Sequence, residues 1–371
     1  MDFSRYDNFF LLLRIALGCP GASADVFPQL SADEWERIYN EADRQTLLGL
    51  AFDGVMKLPQ ELRPPMELMF QWASEAETVR GLNELLNKEC ALQTNFFEKE
   101  NFQTAILKGQ ANARLYPNPL CRQPGDIDIW VSGGKKRVVE FLGQHGLKNR
   151  GYSTKHHVHL PKNKDGVDVE VHFTPSSGNM NPFSTRRLVK FLNGELSCRE
   201  RTPEGYYVPN VKFALAMQLS HVHRHFVTGG VGLRQLLDYY ILLRSSSVED
   251  RNEISRRLGS LGLSHAAAAI MWVLRQTLGL DESLMLCKPD SFRGEWMLKD
   301  ILKNGNFGYH SEKVRLKWLY WWFGKRRDSL KYFRYDAVET IWAEIAYWID
   351  FFSKVSLRIK YRRISLRDIQ F

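Results

Sequence analysis

Hydrophobic residues recur at helical spacing near both ends of the chain. Apolar side chains three and four positions apart form one stripe over residues 9–17 and another over residues 82–92. The same spacing returns in four longer segments after Pro182, namely 211–226, 233–243, 265–278 and 340–352. Because this period places apolar side chains on one face of an α-helix, we predict that both ends of the chain are helical.

Between these helical regions the pattern changes to alternation. DIDIWV (126–131) alternates strictly between polar and apolar residues, and so do HHVHL (156–160) and VDVEVHF (167–173). The last two runs are joined by PKNKDG, a polar sequence that is typical of a hairpin turn. A short apolar run, TAIL, precedes all three. These runs predict the strands of a small sheet.

Helical patterns over residues 110–116 and 135–147 separate the predicted strands. The order strand, helix, strand, helix and hairpin indicates a mixed α/β (α+β) fold. We therefore predict three parts: a helical N-terminal region at 1–100, an α/β core at 101–180, and a helical C-terminal domain at 181–371.

The composition is that of a globular protein, with 44% hydrophobic and 25% charged residues in a chain of 371. This excludes wholesale disorder. No stretch of about 18 residues is free of charge, so we expect no transmembrane helix.

The five cysteines are odd in number and scattered, which argues against a disulfide framework. Asp2, Asp7 and Arg14 interrupt a start that otherwise resembles a signal peptide. We therefore expect a cytoplasmic protein.

The net charge of +9 is concentrated near the C-terminal end. Residues 311–371 hold 14 Lys and Arg against 7 Asp and Glu, a surplus of seven positive charges. Such a segment attracts RNA, a nucleotide or an anionic membrane, although charge alone favours a solvated basic helix. The aromatic run at 318–323 lies beside Lys325, Arg326 and Arg327. We favour helix packing for this run over nucleobase stacking or contact with a membrane surface.

Two carboxylates in the alternating segment carry the candidate chemistry. Asp126 and Asp128 lie two positions apart, so on a strand both point to one face, opposite Ile127 and Ile129. Like charges so close repel one another unless a cation lies between them. Carboxylate oxygens are hard ligands, which favours Mg²⁺ or Mn²⁺ over zinc. The spacing therefore predicts a site for a divalent metal ion.

The hairpin offers further ligands. Asp168 and Glu170 share one face of its second strand, and His172 continues the row. If this strand lies beside DIDIW, a third carboxylate joins the first two, and three carboxylates can hold two ions around a phosphoryl group. His157, His159 and His172 are candidates for contacting substrate, linking the strands or orienting a carboxylate.

Three residues are candidates for binding phosphate. Lys108 and Gly109 stand where a strand gives way to a helix, a place where free backbone N–H groups attract anions. Gly109 permits close approach of the backbone, and Lys108 supplies a point charge, although a surface lysine is an equally good interpretation. Arg122, four residues before Asp126, offers a bidentate contact to phosphate.

A pair of histidines invites a metal interpretation that we do not favour. His221 and His225 are four residues apart on a predicted helix and therefore share a face. No third ligand is evident, and His223 points to another side. Packing or hydrogen bonding is the better interpretation of this pair.

These motifs resemble a known family. The run LKGQANARLYPNPLCRQPGDIDIWV, followed by VDVEVHF, is similar to the bacterial "uncharacterised nucleotidyltransferase" family of the polymerase-β-like nucleotidyltransferase superfamily. The superfamily pattern is a Gly-containing turn, a helix, an Asp-x-Asp strand and a later carboxylate on a neighbouring strand. The segment around GLRQLLDYYILL is similar to the C-terminal part of the family.

The resemblance implies metal-dependent transfer of a nucleoside monophosphate from an NTP to an acceptor, with release of pyrophosphate. Asp126 and Asp128 would bind two Mg²⁺ or Mn²⁺ ions. Glu170 would bind one of these ions and help to deprotonate the acceptor, a role for which Asp168 competes. Gly109 matches the glycine of the turn. The acceptor itself (a small molecule, a protein or RNA) is not implied.

Two other functions stay open. Lys108, Gly109 and Gln110 stand where the superfamily usually has Gly-Ser, so a nucleotide- or RNA-binding protein without transfer chemistry is the main alternative on the same fold. A peripheral membrane protein that uses the Trp-rich basic end is the other.

Overall fold

The structure is a computed structural model that describes residues 3–147, 156–306 and 332–360, with side chains described as far as residue 353. The α-helices are α1 Asp7–Leu17, α2 Ala32–Arg44, α3 Leu48–Met56, α4 Met66–Glu98, α5 Gln110–Ala113, α6 Gly134–Gln144, α7 Pro182–Glu195, α8 Val211–Thr228, α9 Leu233–Ser245, α10 Val248–Leu261, α11 Ser264–Leu278, α12 Ser291–Asn304 and α13 Ala337–Lys360. The strands are β1 Thr104–Ile106, β2 Ile127–Val131, β3 His157–His159, β4 Val169–His172, β5 Glu200–Arg201 and β6 Tyr207–Val208.

The central sheet has four strands in the order β1-β2-β4-β3. β2 runs parallel to β4, whereas β1 is antiparallel to β2 and β3 is antiparallel to β4. The predicted mixed sheet between helical flanks is therefore confirmed. Strands β5 and β6 form a separate antiparallel pair that the alternation pattern did not predict, since each is only two residues long.

The sheet is anchored by an apolar core of its own. Ile127, Ile129 and Val131 of β2 are almost completely buried, as predicted from the alternation. They belong to one cluster with Phe97 at the end of α4 and Phe141 of α6. This packing fixes one face of β2, so the alternate side chain of Asp128 points to the other face.

A larger core unites helices from both ends of the chain. Leu12 and Leu13 of α1 are buried together with Ile270 and Leu274 of α11. The Arg14 side chain adds a polar link, since its Nε donates to the carbonyl of Thr277 at 2.8 Å. The helical regions before and after the sheet thus share apolar packing, while the predicted boundaries at residues 100 and 180 stay a prediction.

Three features on which predictions were based lie outside the described residues: the aromatic run at 318–323, the triplet Lys325 to Arg327, and most of the basic segment 311–371. Every helix within the described ranges is too short or too polar to cross a lipid bilayer.

Candidate active site

The pairing of β2 with β4 brings two of the predicted carboxylates side by side. Asp128 and Glu170 are partners in the parallel register. Asp126 directly precedes β2, and the backbone N–H of Ile127 donates to the carbonyl of Asp168 at 2.9 Å, which continues the ladder past the strand end. Asp128 is buried, Glu170 is partly buried and Asp126 is exposed. The burial of the three carboxylates therefore decreases from Asp128 through Glu170 to Asp126.

Each oxygen of the Asp128 carboxylate has a basic partner. Lys108 Nζ lies 2.9 Å from Oδ2, and His172 Nε2 lies 2.9 Å from Oδ1. Burial alone would raise the pKa of Asp128, but Lys108 and His172 outweigh it and hold this pKa well below its usual range. Asp128 is therefore an ionised carboxylate at neutral pH despite being buried.

Lys108 reaches this position because of the antiparallel pairing of β1 with β2. The N–H of Leu107 donates to the carbonyl of Asp128 at 2.9 Å, so the next residue begins its turn beside the carboxylate. Gly109 then adopts φ 63° and ψ −107°, a conformation that a residue with a side chain rarely takes. Burial lowers the pKa of Lys108, but the nearby carboxylates, Asp128 first, raise it above its usual value. Lys108 is thus a permanent positive charge in the site.

Asp126 completes the acidic group from the exposed side. Its pKa is raised, chiefly by the negative charge of Asp128. The carbonyl oxygen of Asp126 lies 3.4 Å from the point where a Cβ at Gly109 would be, so the glycine turn passes close to the acidic segment. The structure therefore brings Lys108, Gly109, Asp126 and Asp128 together around one pocket.

Glu170 is surrounded by imidazole groups. Its Oε2 lies 3.4 Å from His172 Nε2 and 3.8 Å from His157 Nε2, while its Oε1 lies 3.5 Å from His159 Nε2. Burial raises the pKa of Glu170, but His172 and the other two histidines outweigh this and lower it. Burial lowers the pKa of His172, yet hydrogen bonds to Asp128 and Glu170 raise it to about 9. His172 therefore links the two carboxylates as a protonated bridge.

Two predicted site residues form ion pairs outside the acidic group, although Arg122 also lines the pocket. Arg122 forms a bidentate pair with Asp238 of α9, with both N–O distances 2.8 Å, and Tyr116 donates to the same carboxylate at 2.8 Å. Asp168 is exposed, and its Oδ2 lies 2.9 Å from Lys162 Nζ. The structure thus does not bring the Asp168 carboxylate to Asp128, and it commits the Arg122 guanidinium to a buried partner. Their proposed roles in metal and phosphate binding stay predictions.

Arg234 of α9 lines the same pocket, and the sequence analysis did not single it out. One of its terminal nitrogens donates to the carbonyls of Gln123 and Pro124 at 3.1 Å each, just before the acidic segment. Its Nε is buried and makes no hydrogen bond within the described part of the chain. Burial lowers the pKa of Arg234 to about 10, so the group stays charged at neutral pH. Its signal in the sequence was a charged residue within the otherwise apolar segment LRQLLDYYILL.

Helix α8 carries the two histidines that invited a metal interpretation. His221 lines the pocket, and its ring centre lies 4.3 Å from that of His225. Burial lowers the pKa of both, that of His225 to about 4. Among the described residues, neither belongs to a group of three side chains that could share a metal ion. Packing or hydrogen bonding therefore stays our prediction for this pair.

The donor set of the site fits a divalent cation. Asp128 and Glu170 offer carboxylate oxygens within 4.8 Å of each other, and the protonated His172 lies between them. Asp126 adds a carboxylate beside Asp128, and the mutual repulsion that raises its pKa is what a bound cation would relieve. Three oxygen donors of this kind suit Mg²⁺ or Mn²⁺.

Comparison with known proteins agrees with this arrangement. No curated protein matches the chain. A family model described as "Uncharacterised nucleotidyltransferase" matches residues 31–279, a span that covers more than half of the chain and contains the whole sheet and the pocket. The chain therefore belongs to the uncharacterised nucleotidyltransferase family, as its sequence motifs suggested.

Proposed function

We propose that this protein is a Mg²⁺- or Mn²⁺-dependent nucleotidyltransferase that moves a nucleoside monophosphate from an NTP to an acceptor hydroxyl or phosphate and releases pyrophosphate. The observation that carries the proposal is the register of the parallel pair, in which Asp128 lies beside Glu170. Asp126 and Asp128 line the pocket, and Glu170 adds a third carboxylate on the neighbouring strand. Family membership supports the reaction class.

Asp126, Asp128 and Glu170 are the residues that would hold two divalent ions. Such ions, when bound, stabilise the negative charge of the phosphoryl group during its transfer. The pKa of Asp128 and that of Glu170 are both lowered, so these two groups are ionised ligands at neutral pH. No proton has to leave either carboxylate before it can bind a cation.

Lys108 and Arg234 are the cations that would contact the triphosphate. Both line the pocket beside Asp126, and they approach it from different elements, the turn after β1 and helix α9. The positive φ of Gly109 lets the backbone approach a phosphate without a side chain in the way. Arg122, held by Asp238, would act by positioning, because it fixes the loop that leads into Asp126.

Glu170 is the group that would accept the proton of the attacking hydroxyl. It is ionised and only partly buried, so an acceptor can reach it. His157 and His159 flank it on the edge strand and would contact the acceptor. The acceptor is a small molecule, a protein or an RNA end, and the helices that surround the sheet would select among them.

One observation favours a second candidate, a nucleotide-binding protein without transfer activity. The Lys108 ammonium already neutralises Asp128, and the turn that carries it is Lys-Gly-Gln, without a serine hydroxyl for the triphosphate. A protein of this kind would bind NTP, but it would not release pyrophosphate in the presence of any acceptor.

The test is incorporation of each of the four NTPs, labelled on the α-phosphate, in the presence of Mg²⁺ or Mn²⁺. The purified chain is added to a cell lysate that is afterwards separated into RNA, protein and small molecules. We expect label in one fraction, lost with Asp126→Asn and retained with Asp165→Asn, a matched change at an exposed aspartate of the hairpin turn. Measurable NTP binding with no label in any fraction would favour the second candidate.

A further inference from the structure

Two histidines on the edge strand face the same glutamate. We propose that His157, His159 and Glu170 form a separate site for one borderline divalent cation of the Zn²⁺ or Co²⁺ type. Each histidine would bind through Nε2, and Glu170 would bind through its carboxylate. This site goes beyond the proposed transfer reaction: it shares Glu170 with the acidic group, but its other two ligands are nitrogen donors on the edge strand.

The register of β3 with β4 creates the cluster. His159 is the antiparallel partner of Glu170, and His157 is the partner of His172. His157 and His159 are two residues apart on β3, so their side chains leave the strand on one face. Their ring centres lie 5.1 Å apart with the planes at 84°. Two imidazoles and a carboxylate are thus presented by paired strands rather than by mobile loops.

The distances suit a four-coordinate ion. His157 Nε2 lies 3.8 Å and His159 Nε2 lies 3.5 Å from the nearest oxygens of Glu170, and ligand atoms of all three lie within 4.8 Å of one another. Bonds of about 2.0–2.2 Å in a tetrahedral site place ligand atoms about 3.3–3.6 Å apart. Small side-chain rotations would therefore complete the site without movement of the strands.

The surroundings also suit a bound ion. The side chains of His157 and Glu170 are 19% and 18% exposed, and that of His159 is 40% exposed, so an ion can enter from solvent and keep an open coordination position. His172 lies 3.4 Å from Glu170 and 2.9 Å from Asp128, and it would orient the ligating carboxylate from behind.

The donor atoms distinguish this site from the neighbouring acidic one. Imidazole nitrogen suits Zn²⁺ and related ions, whereas Mg²⁺ takes oxygen ligands. Among the described residues, Asp126 is not part of the group that could share an ion with His157 and His159. Since β3 is only three residues long and lies at the sheet edge, an ion held by β3 and β4 together would stabilise this edge.

The test uses the tag-free full chain after removal of metals by a chelator. Co²⁺ and Zn²⁺ are titrated separately, with visible absorption of bound Co²⁺ and equilibrium dialysis as readouts. We expect one histidine-dependent Co²⁺ per chain, displaced by Zn²⁺, whose affinity is at least ten times weaker in His157→Asn and in His159→Asn. His145→Asn, at an exposed histidine of the segment after α6, is the matched control and should bind as wild type.

The outcomes separate this site from the transfer reaction. Asp126→Asn should keep Co²⁺ binding while it loses incorporation of label. Absence of Co²⁺ binding in the wild type, or equal binding in wild type and both histidine variants, would overturn the proposal. Binding that is lost in Asp126→Asn but kept in His159→Asn would also overturn it, because the ion would then lie among the aspartates. If no label is incorporated but Co²⁺ still binds and its binding depends on the histidines, the proposed transfer reaction is wrong and the proposed metal site stands.

Discussion

The Lys108 ammonium lies 2.9 Å from the buried Oδ2 of Asp128 and so neutralises a carboxylate that the family pattern assigns to metal binding. The two residues lie on neighbouring antiparallel segments, and the pairing of β1 with β2 forces them together. Asp126, two residues earlier, is exposed and carries a raised pKa. The two aspartates of the motif are therefore physically different, although the sequence presents them as equivalent.

This difference predicts opposite effects of two matched substitutions on stability. Asp128→Asn leaves the Lys108 ammonium and the His172 imidazolium without their buried partner, and we expect the free energy of unfolding to fall by about 1–3 kcal/mol. Asp126→Asn removes a repelled, exposed charge, and we expect a change of about 0.5 kcal/mol or less, in either direction. Urea denaturation of both variants measures this contrast.

Lys108→Met tests the origin of the contrast. In a Lys108→Met background, Asp128→Asn should be less destabilising than in the wild type, since one of the two groups that need the carboxylate is gone. Equal losses for Asp126→Asn and Asp128→Asn would contradict the assigned pairing. The sequence shows only that the two aspartates are close enough to repel each other. From this repulsion alone, both substitutions would be expected to leave the stability unchanged or to raise it.

Arg234 is expected to contribute to NTP binding. Arg234→Gln removes a positive charge that lines the pocket beside Asp126, and we expect NTP to bind about tenfold more weakly, equivalent to about 1.4 kcal/mol. Isothermal titration calorimetry with Mg²⁺ and each NTP is the measurement. Arg201→Gln, at an exposed arginine of β5, is the matched control, and an equal loss in both variants would mean that general charge, and not the pocket, attracts the nucleotide.

The buried pair of Arg122 and Asp238 is expected to be structural. Asp238→Asn leaves the guanidinium without a compensating charge and replaces one of its two acceptor oxygens by an amide donor, so we expect a loss of about 3–5 kcal/mol in the free energy of unfolding. Chemical denaturation checks this value. The double variant Arg122→Met/Asp238→Leu should recover most of the loss, because no buried charge remains. A double variant as unstable as Asp238→Asn would contradict this account.

Several of the helices, the strands of the central sheet and the acidic motif could be predicted from the sequence because each is encoded locally. The strict alternation of DIDIWV fixed which side chains of β2 enter the core, and Ile127 and Ile129 are buried as expected. The alternation pattern does not determine which carboxylate of β4 lies beside Asp128. A shift of two residues keeps every side chain of β4 on the same face, so the pattern fits Asp168 and Glu170 equally well. The observed register places Glu170 there.

The remaining contacts of the site depend on residues distant in the chain. Arg122 pairs with Asp238, which follows it by 116 positions, and Arg234 approaches the acidic segment from the same helix. One turn of α9 separates Arg234 from Asp238, so both face the loop before β2. Charged residues in a buried apolar helix were a visible signal, but only the packing of α9 against the sheet region shows which groups they meet.

His223 predicts a loss of stability in mild acid. This histidine of α8 is fully buried, and burial lowers its pKa to about 4 from an ordinary 6.5. Above pH 6.5 the ring is neutral in the folded and the unfolded chain, so it contributes no pH dependence. Between pH 6.5 and 4 only the unfolded chain takes up the proton, so the folded state loses stability as the pH falls, by up to about 3 kcal/mol.

His223→Leu should remove this contribution. We expect the free energy of unfolding, measured by urea denaturation at several pH values, to fall less steeply between pH 6.5 and 4 in the variant than in the wild type. The difference between the two curves should grow as the pH falls and level off near pH 4, where the folded chain also begins to bind the proton. His225, whose pKa is lowered to a similar value, would keep the variant partly sensitive to acid. Parallel curves for wild type and His223→Leu would show that His223 is not the buried neutral group described.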